Sequence, residues 1–176
     1  MNRFLTCMAA LAVALPLAAQ QKAPASPPET ATGSINGHTI TIKYSSPRVN
    51  GREGHIFGPG GLIQKTHKQY PIWRAGANAA TSLHTDANLT IGTLNVPAGD
   101  YTLFVDISNP DQWNLIVNKK TGEWGLAYDA SQDLGKTPMT MSKPPSMVED
   151  LEWSIGDGKI TLSWEDHTAS VNVSAQ

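Results

Sequence analysis

Apolar residues in this chain recur at every second position, in short runs separated by glycine, asparagine, aspartate and proline. That period belongs to β-strands, whose successive side chains point to opposite faces, rather than to helices. Ile40, Ile42 and Tyr44 alternate with Thr39, Thr41 and Lys43, and Asn36-Gly37 just before them is a tight-hairpin dipeptide. Tyr101, Leu103, Val105 and Ile107 share one face, and Trp113, Leu115 and Val117 repeat the pattern after Ser108-Asn-Pro-Asp111. Leu151, Trp153 and Ile155 are answered across Gly156-Asp-Gly158 by Ile160, Leu162 and Trp164, then by Ala169, Val171 and Val173. Roughly nine to eleven strands spaced about ten residues apart predict an all-β chain, an antiparallel β-sandwich with one long Gly/Arg-rich loop. No window keeps a capped helical period. Ser131 to Leu134 and Ser146 to Asp150 are the only stretches expected to make single helical turns.

The first residues follow a different rule. Met1-Asn2-Arg3 is a short positive start, Leu5 to Ala19 is apolar, and Ala18-Ala19 precedes the polar Gln20-Gln21. An apolar run of about fifteen residues is short for a bilayer span, and with a small-residue exit it reads as a secretory signal peptide over residues 1–19. The expected location is therefore periplasmic or secreted. Cys7, the single cysteine, lies inside that signal. A mature chain without thiols has no disulfide, thiolate metal site or cysteine nucleophile. Residues 20–33, rich in proline and alanine, read as an extended linker, and 34–176 as a single domain. The net charge of −2 lacks the basic footprint of a nucleic-acid binder, and no later run is long enough to anchor in a membrane.

Positive charge concentrates in one place. Ser45 to Asn78 holds Arg48, Arg52, Arg74, Lys65 and Lys68 against a single acid, Glu53, and five glycines fall between Gly51 and Gly61. Such a glycine density breaks a strand, and a long irregular loop in a compact domain points to function. Ile56, Phe57, Leu62, Ile63, Ile72 and Trp73 give it apolar anchors. Alternation through Trp73-Arg74-Ala75-Gly76-Ala77-Asn78 predicts Trp73, Ala75 and Ala77 on one face, with Arg74, Gly76 and Asn78 on the other. Guanidinium forks bind carboxylate or phosphate bidentately, and a carboxamide supplies a donor and an acceptor. Arg48 and Arg52 flank the turn at Asn50-Gly51 and can face the same cavity as Arg74.

These residues also carry a resemblance. Tyr44-Ser-Ser-Pro-Arg48, Gly51-Arg52, Ile56-Phe57-Gly58, Trp73 to Asn78, Pro97-Ala-Gly-Asp-Tyr101, Trp113, Asn118 and Trp124-Gly125 resemble the exported bacterial family catalogued as domain of unknown function 2911. The resemblance implies an exported β-rich domain with no established activity and supplies no agreed catalytic residues to carry over. The segment Gln64 to Pro71 departs from the shorter link expected before the Trp-Arg string.

From the residues themselves, the expected function is a non-catalytic module for a small anionic or hydroxylated ligand. Arg48, Arg52, Trp73, Arg74, Asn78 and His84 are its expected binding residues. No cofactor is expected. One alternative is a small hydrolase or metal-dependent enzyme using His84, His55 or His67; another is an envelope interaction module that accepts a strand at a sheet edge. His38, His55, His67 and His84 lack short ligand spacing, so no metal site is predicted, and no Gly-x-Ser-x-Gly elbow accompanies Ser45, Ser46, Thr81 or Ser82. Glu149-Asp150 and Glu165-Asp166 read as solvated turn pairs.

Overall fold

The computed structural model describes residues 24–176. The expected signal peptide, and the start of the linker, lie outside the described residues. The chain begins with β1 (Pro28–Ile35), β2 (His38–Ser45), a short helix α1 (Leu62–Thr66) and β3 (Ile72–Trp73). Then come β4 (Thr81–Thr85), β5 (Leu89–Ile91), β6 (Leu94–Val96), β7 (Gly99–Asp106) and β8 (Asn114–Asn118). A 3-10 turn at Ala130–Gln132 precedes β9 (Asp133–Pro138) and β10 (Thr140–Ser142). The chain closes with β11 (Val148–Gly156), β12 (Lys159–Glu165) and β13 (His167–Ala175).

Two antiparallel sheets result. The first runs β1-β2-β4-β7-β8-β9 with β3 also on β7; the second runs β11-β12-β13-β5-β6 with β10 also on β13. Asn36-Gly37 and Asp157-Gly158 make the hairpin turns, all four residues having positive φ, as such turns require. Between the sheets Ile40, Ile42, Leu83, Leu103, Val105, Leu115 and Val117 meet Trp153, Ile160, Leu162, Ala169 and Val171, every one of them buried. Each large side chain so buried contributes about 1.5–3 kcal/mol. The alternation thus defines the sandwich. Tyr44 and Ile155, assigned to the same faces, are only half-buried.

Four local expectations need correction. The linker ends early, because β1 starts at Pro28 and pairs with β2 along its whole length. Its composition hides it: Gly33 is there because a Cβ would lie 2.5 Å from Ile155 Cγ2 of β11. Ser146 to Asp150 makes no helical turn; β11 runs through it with a register shift between Val148 and Glu152, which explains its turn-like polarity. Helix α1 falls where none was expected, while the 3-10 turn falls close to the predicted one.

The fourth correction concerns the Trp-Arg string. Trp73 and Thr81 both pair with β7, at Val105 and Leu103. Residues 74–80 therefore leave the sheet and return to the same edge, as an excursion rather than a strand. Ala75 and Asn78 have φ of 53° and 58°, left-handed backbone that ends alternation. The excursion is pinned by its own carbonyl groups. Ala75 O accepts from Thr81 Oγ1 at 2.9 Å and from Trp153 Nε1 at 3.0 Å, while Ala77 N donates to Ser45 O at 3.1 Å. Trp73 and Ala75 are core as predicted, whereas Ala77 is half-buried.

Candidate functional site

The basic loop folds over one end of the sandwich. Val49, Ile56 and Ile63 are fully buried and fasten it there. Val49 N donates to Glu149 O, and Arg48 binds Asp150, Nε to Oδ1 at 2.6 Å. That carboxylate raises the Arg48 pKa, and the pair is exposed. Beneath the loop Trp73 stacks on Trp164, centroids 5.9 Å apart and planes 19° apart, with Phe57 edge-on to both.

A cavity of about 390 Å³ lies between the loop, helix α1, the 73–77 excursion and the end of β12. Small-molecule sites start at about 300 Å³. Arg48, Arg52 and Arg74 all line it, as do Asn50, His67 and the two stacked tryptophans, Trp73 and Trp164. Among the described residues no carboxylate does.

The two inner arginines are the unusual ones. Arg52 Nη2 donates to Arg48 O at 2.6 Å, and Arg74 Nη1 to Asn78 O at 3.0 Å. Among the described residues neither has an acidic partner within 4.0 Å. Both Nε atoms are buried without a hydrogen-bond partner, and so are Trp164 Nε1 and His67 Nε2. Burial alone lowers the Arg74 pKa, with no anion to offset it. A half-buried cation held without a counter-charge is electrostatically unfavourable by itself and ready to receive an anion.

His67 follows directly on α1. Leu62, Ile63, Thr66 and His67 fall on one helical face and line the cavity together. Burial, and secondly the Arg74 charge, bring the His67 pKa down to about 4. The ring is thus neutral at pH 7.

Gly125 shapes the site from outside. A Cβ there would overlap Arg74 Cδ and lie 2.8 Å from Asn78 O. The Gly125 segment is held in turn by Gln69, whose amide exchanges hydrogen bonds with the Tyr128 backbone at 2.9 and 3.0 Å. Arg74 is thereby clamped between a glycine and the excursion that carries it.

Of the expected binding residues, Arg48, Arg52, Trp73 and Arg74 come together at the cavity. Asn78 does not line it; its carbonyl holds Arg74 while its side chain reaches Ser26 O at 3.5 Å. His84 is elsewhere, on the exposed surface of the first sheet, paired with Asp100 at 2.8 Å. Strand alternation led to Asn78, and it fails where the excursion leaves the sheet; His84 was drawn in by its nearness to the basic segment along the chain. His67, Asn50, Trp164 and Gly125 were not among them. The spacing 62, 63, 66, 67 is the sequence signal that points to His67.

The histidines do not converge. His38 lies 3.5 Å from Asp86 and His84 pairs with Asp100, both on the exterior. Among the described residues one group of metal-capable side chains gathers, Glu165, Asp166 and His167, all within 4.8 Å. Glu165 is not the solvated residue its sequence suggested. It is buried, accepts from Gly54 N, and has its pKa raised by desolvation. His167 stacks on Trp113 with centroids 5.1 Å apart. These contacts account for the cluster.

Fold and site together define a class, an antiparallel β-sandwich with a cationic, tryptophan-walled cavity under a long loop at one end. The chain belongs to the family described as protein of unknown function (DUF2911), whose model matches residues 26–173. No curated protein and no solved structure matches it.

Proposed function

We propose that this protein is an exported binding module that takes a small anion into the end cavity, with Arg52 and Arg74 as its principal contacts. One observation carries the reading: two guanidinium groups face a cavity with no carboxylate partner and with buried, unpaired N–H donors. Arg48 contributes less, because Asp150 already neutralises it. Trp73 and Trp164 supply the apolar wall against which a ligand's carbon skeleton packs. Export rests on the residues before Gln20, a positive start and a short apolar run.

The test is a thermal-shift series of carboxylates and phosphate esters at constant ionic strength. A ligand at a hundred times its Kd stabilises by about 2.7 kcal/mol, which raises Tm by about 5–10 °C in a domain of this size. Arg52→Gln and Arg74→Gln are expected to remove the response while each still melts cooperatively. An equal response in both variants would overturn the reading.

A further inference from the structure

We propose that the anion is a hydroxycarboxylate, its carboxylate held by Arg52 and Arg74 and its hydroxyl donating to Nε2 of His67. This rests on the anion-binding reading above and narrows its ligand. The argument is one of matching donors and acceptors. Arginine and tryptophan side chains only donate, so Arg52, Arg74 and Trp164 all require acceptors.

His67 requires the opposite. Its Nδ1 lies 3.1 Å from Ile63 O and 3.1 Å from Thr66 Oγ1. The Thr66 hydroxyl donates its own hydrogen to Leu62 O at 2.8 Å. Both neighbours of Nδ1 therefore act as acceptors, and Nδ1 carries the ring proton. In a neutral ring with that tautomer, Nε2 is a bare lone pair.

The surroundings keep the ring neutral. Burial disfavours the charged ring first and the Arg74 charge second, and among the described residues no acid lines the cavity it shares with Arg48 and Arg52. His67 is 7% exposed, and Nε2 has no partner. A plain carboxylate would satisfy the cations and leave this buried acceptor unpaired, at the cost of its desolvation. A hydroxyl on the same small molecule completes the set. Nε2 and the two Nε atoms are shielded from solvent, so binding entails a modest side-chain rotation at the wall, as is common at interfaces.

Calorimetric titration of the purified protein at pH 7 with matched pairs, glycolate against acetate and mandelate against phenylacetate, tests this. The hydroxy acid of each pair is expected to bind about tenfold tighter, the effect of one net hydrogen bond. Repeating the titrations in buffers of different ionisation enthalpy should show no net proton uptake. The ¹⁵N resonance of His67 Nε2 should respond to the hydroxy acid and not to its partner. In His67→Phe, which has no lone pair, the preference within each pair should vanish. Equal, Arg74-dependent affinities within the pairs would leave the anion site standing and overturn the hydroxyl inference. Uptake of about one proton per site would overturn it too, since His67 would then be donating. If neither acid of any pair binds, the anion site itself falls. Should His67→Phe fail to fold, the matched pairs and the proton count on the wild type decide alone.

Discussion

Lowering the pH should unfold this protein partly through one residue, His67. Its pKa falls from an ordinary 6.5 to about 4 in the folded chain, chiefly through burial. The unfolded chain therefore binds a proton more readily than the native one between those values, and stability must decline as pH falls. The contribution is fully present above pH 6.5, decreases through the window, and is gone below about pH 4. At about 1.4 kcal/mol for each pH unit of separation, it amounts to about 3 kcal/mol. Glu165 works in the other direction: its raised pKa favours the protonated form in the native state, so its contribution is lost as pH rises. Wild type alone would thus report a mixture. Urea titrations at pH 7, 6, 5 and 4 on wild type and His67→Gln separate the two. The expected result is a difference in unfolding free energy between them that shrinks by about 3 kcal/mol from pH 7 to pH 4. A difference that stays constant across that range would refute the placement of His67 as a buried neutral ring.

Three further outcomes follow from the geometry. Trp73→Ala should destabilise by about 3–5 kcal/mol in denaturant melts, because the indole is 1% exposed and its loss leaves a cavity against Trp164 and Phe57. Arg74→Ala should cost less than about 1 kcal/mol in the same assay, since among the described residues no carboxylate pairs with the guanidinium and none is orphaned when it goes; a loss matching that of Trp73→Ala would make the arginine part of the scaffold. Gly125→Ala should destabilise by about 1–3 kcal/mol through overpacking and also weaken anion binding measured by titration, because its methyl group occupies the space of the Arg74 side chain.

The sandwich was legible because its signal is local and redundant. Along β2, β7, β8, β12 and β13, the period-two residues are those between the sheets, and the β1–β2 and β11–β12 hairpins turn at Asn36-Gly37 and Asp157-Gly158. Where the reading failed, the structure follows a constraint that alternation does not encode. β1 is polar and carries a glycine for close approach to Ile155. β11 carries its acids through a register shift. The Trp-Arg string begins as a strand and then turns left-handed at Ala75. That Arg48, Arg52 and Arg74 could share a cavity was legible from the clustering of positive charge and the turn at Asn50-Gly51. His84 was drawn in by proximity along the chain, but strand β4 carries it to the outer surface and into an ion pair with Asp100.

The same excursion that defeats alternation is what brings Arg74 to the end cavity of this fold. A strand continuing from Trp73 would send the next side chains alternately into the core and onto the sheet's solvent face, and Arg74 would not join Arg48 and Arg52 at the cavity. By leaving β7 after Trp73 and rejoining it at Thr81, the chain gains room to fold Arg74 back over the sandwich end. Ordering such a segment costs about 1–2 kcal/mol per residue in backbone entropy, and its left-handed residues add strain. The hydrogen bonds from Thr81, Trp153 and Ala77 fix the excursion, and Gln69 holds the Gly125 segment against it. Pinning from that many directions fixes the backbone of an arginine that has no acidic partner among the described residues. Preorganised donors of this kind reduce the ordering cost that a ligand would otherwise meet on binding. The loop's glycines, its buried isoleucines and the glycine at 125 thus serve one end, to keep cationic groups in place over an apolar wall.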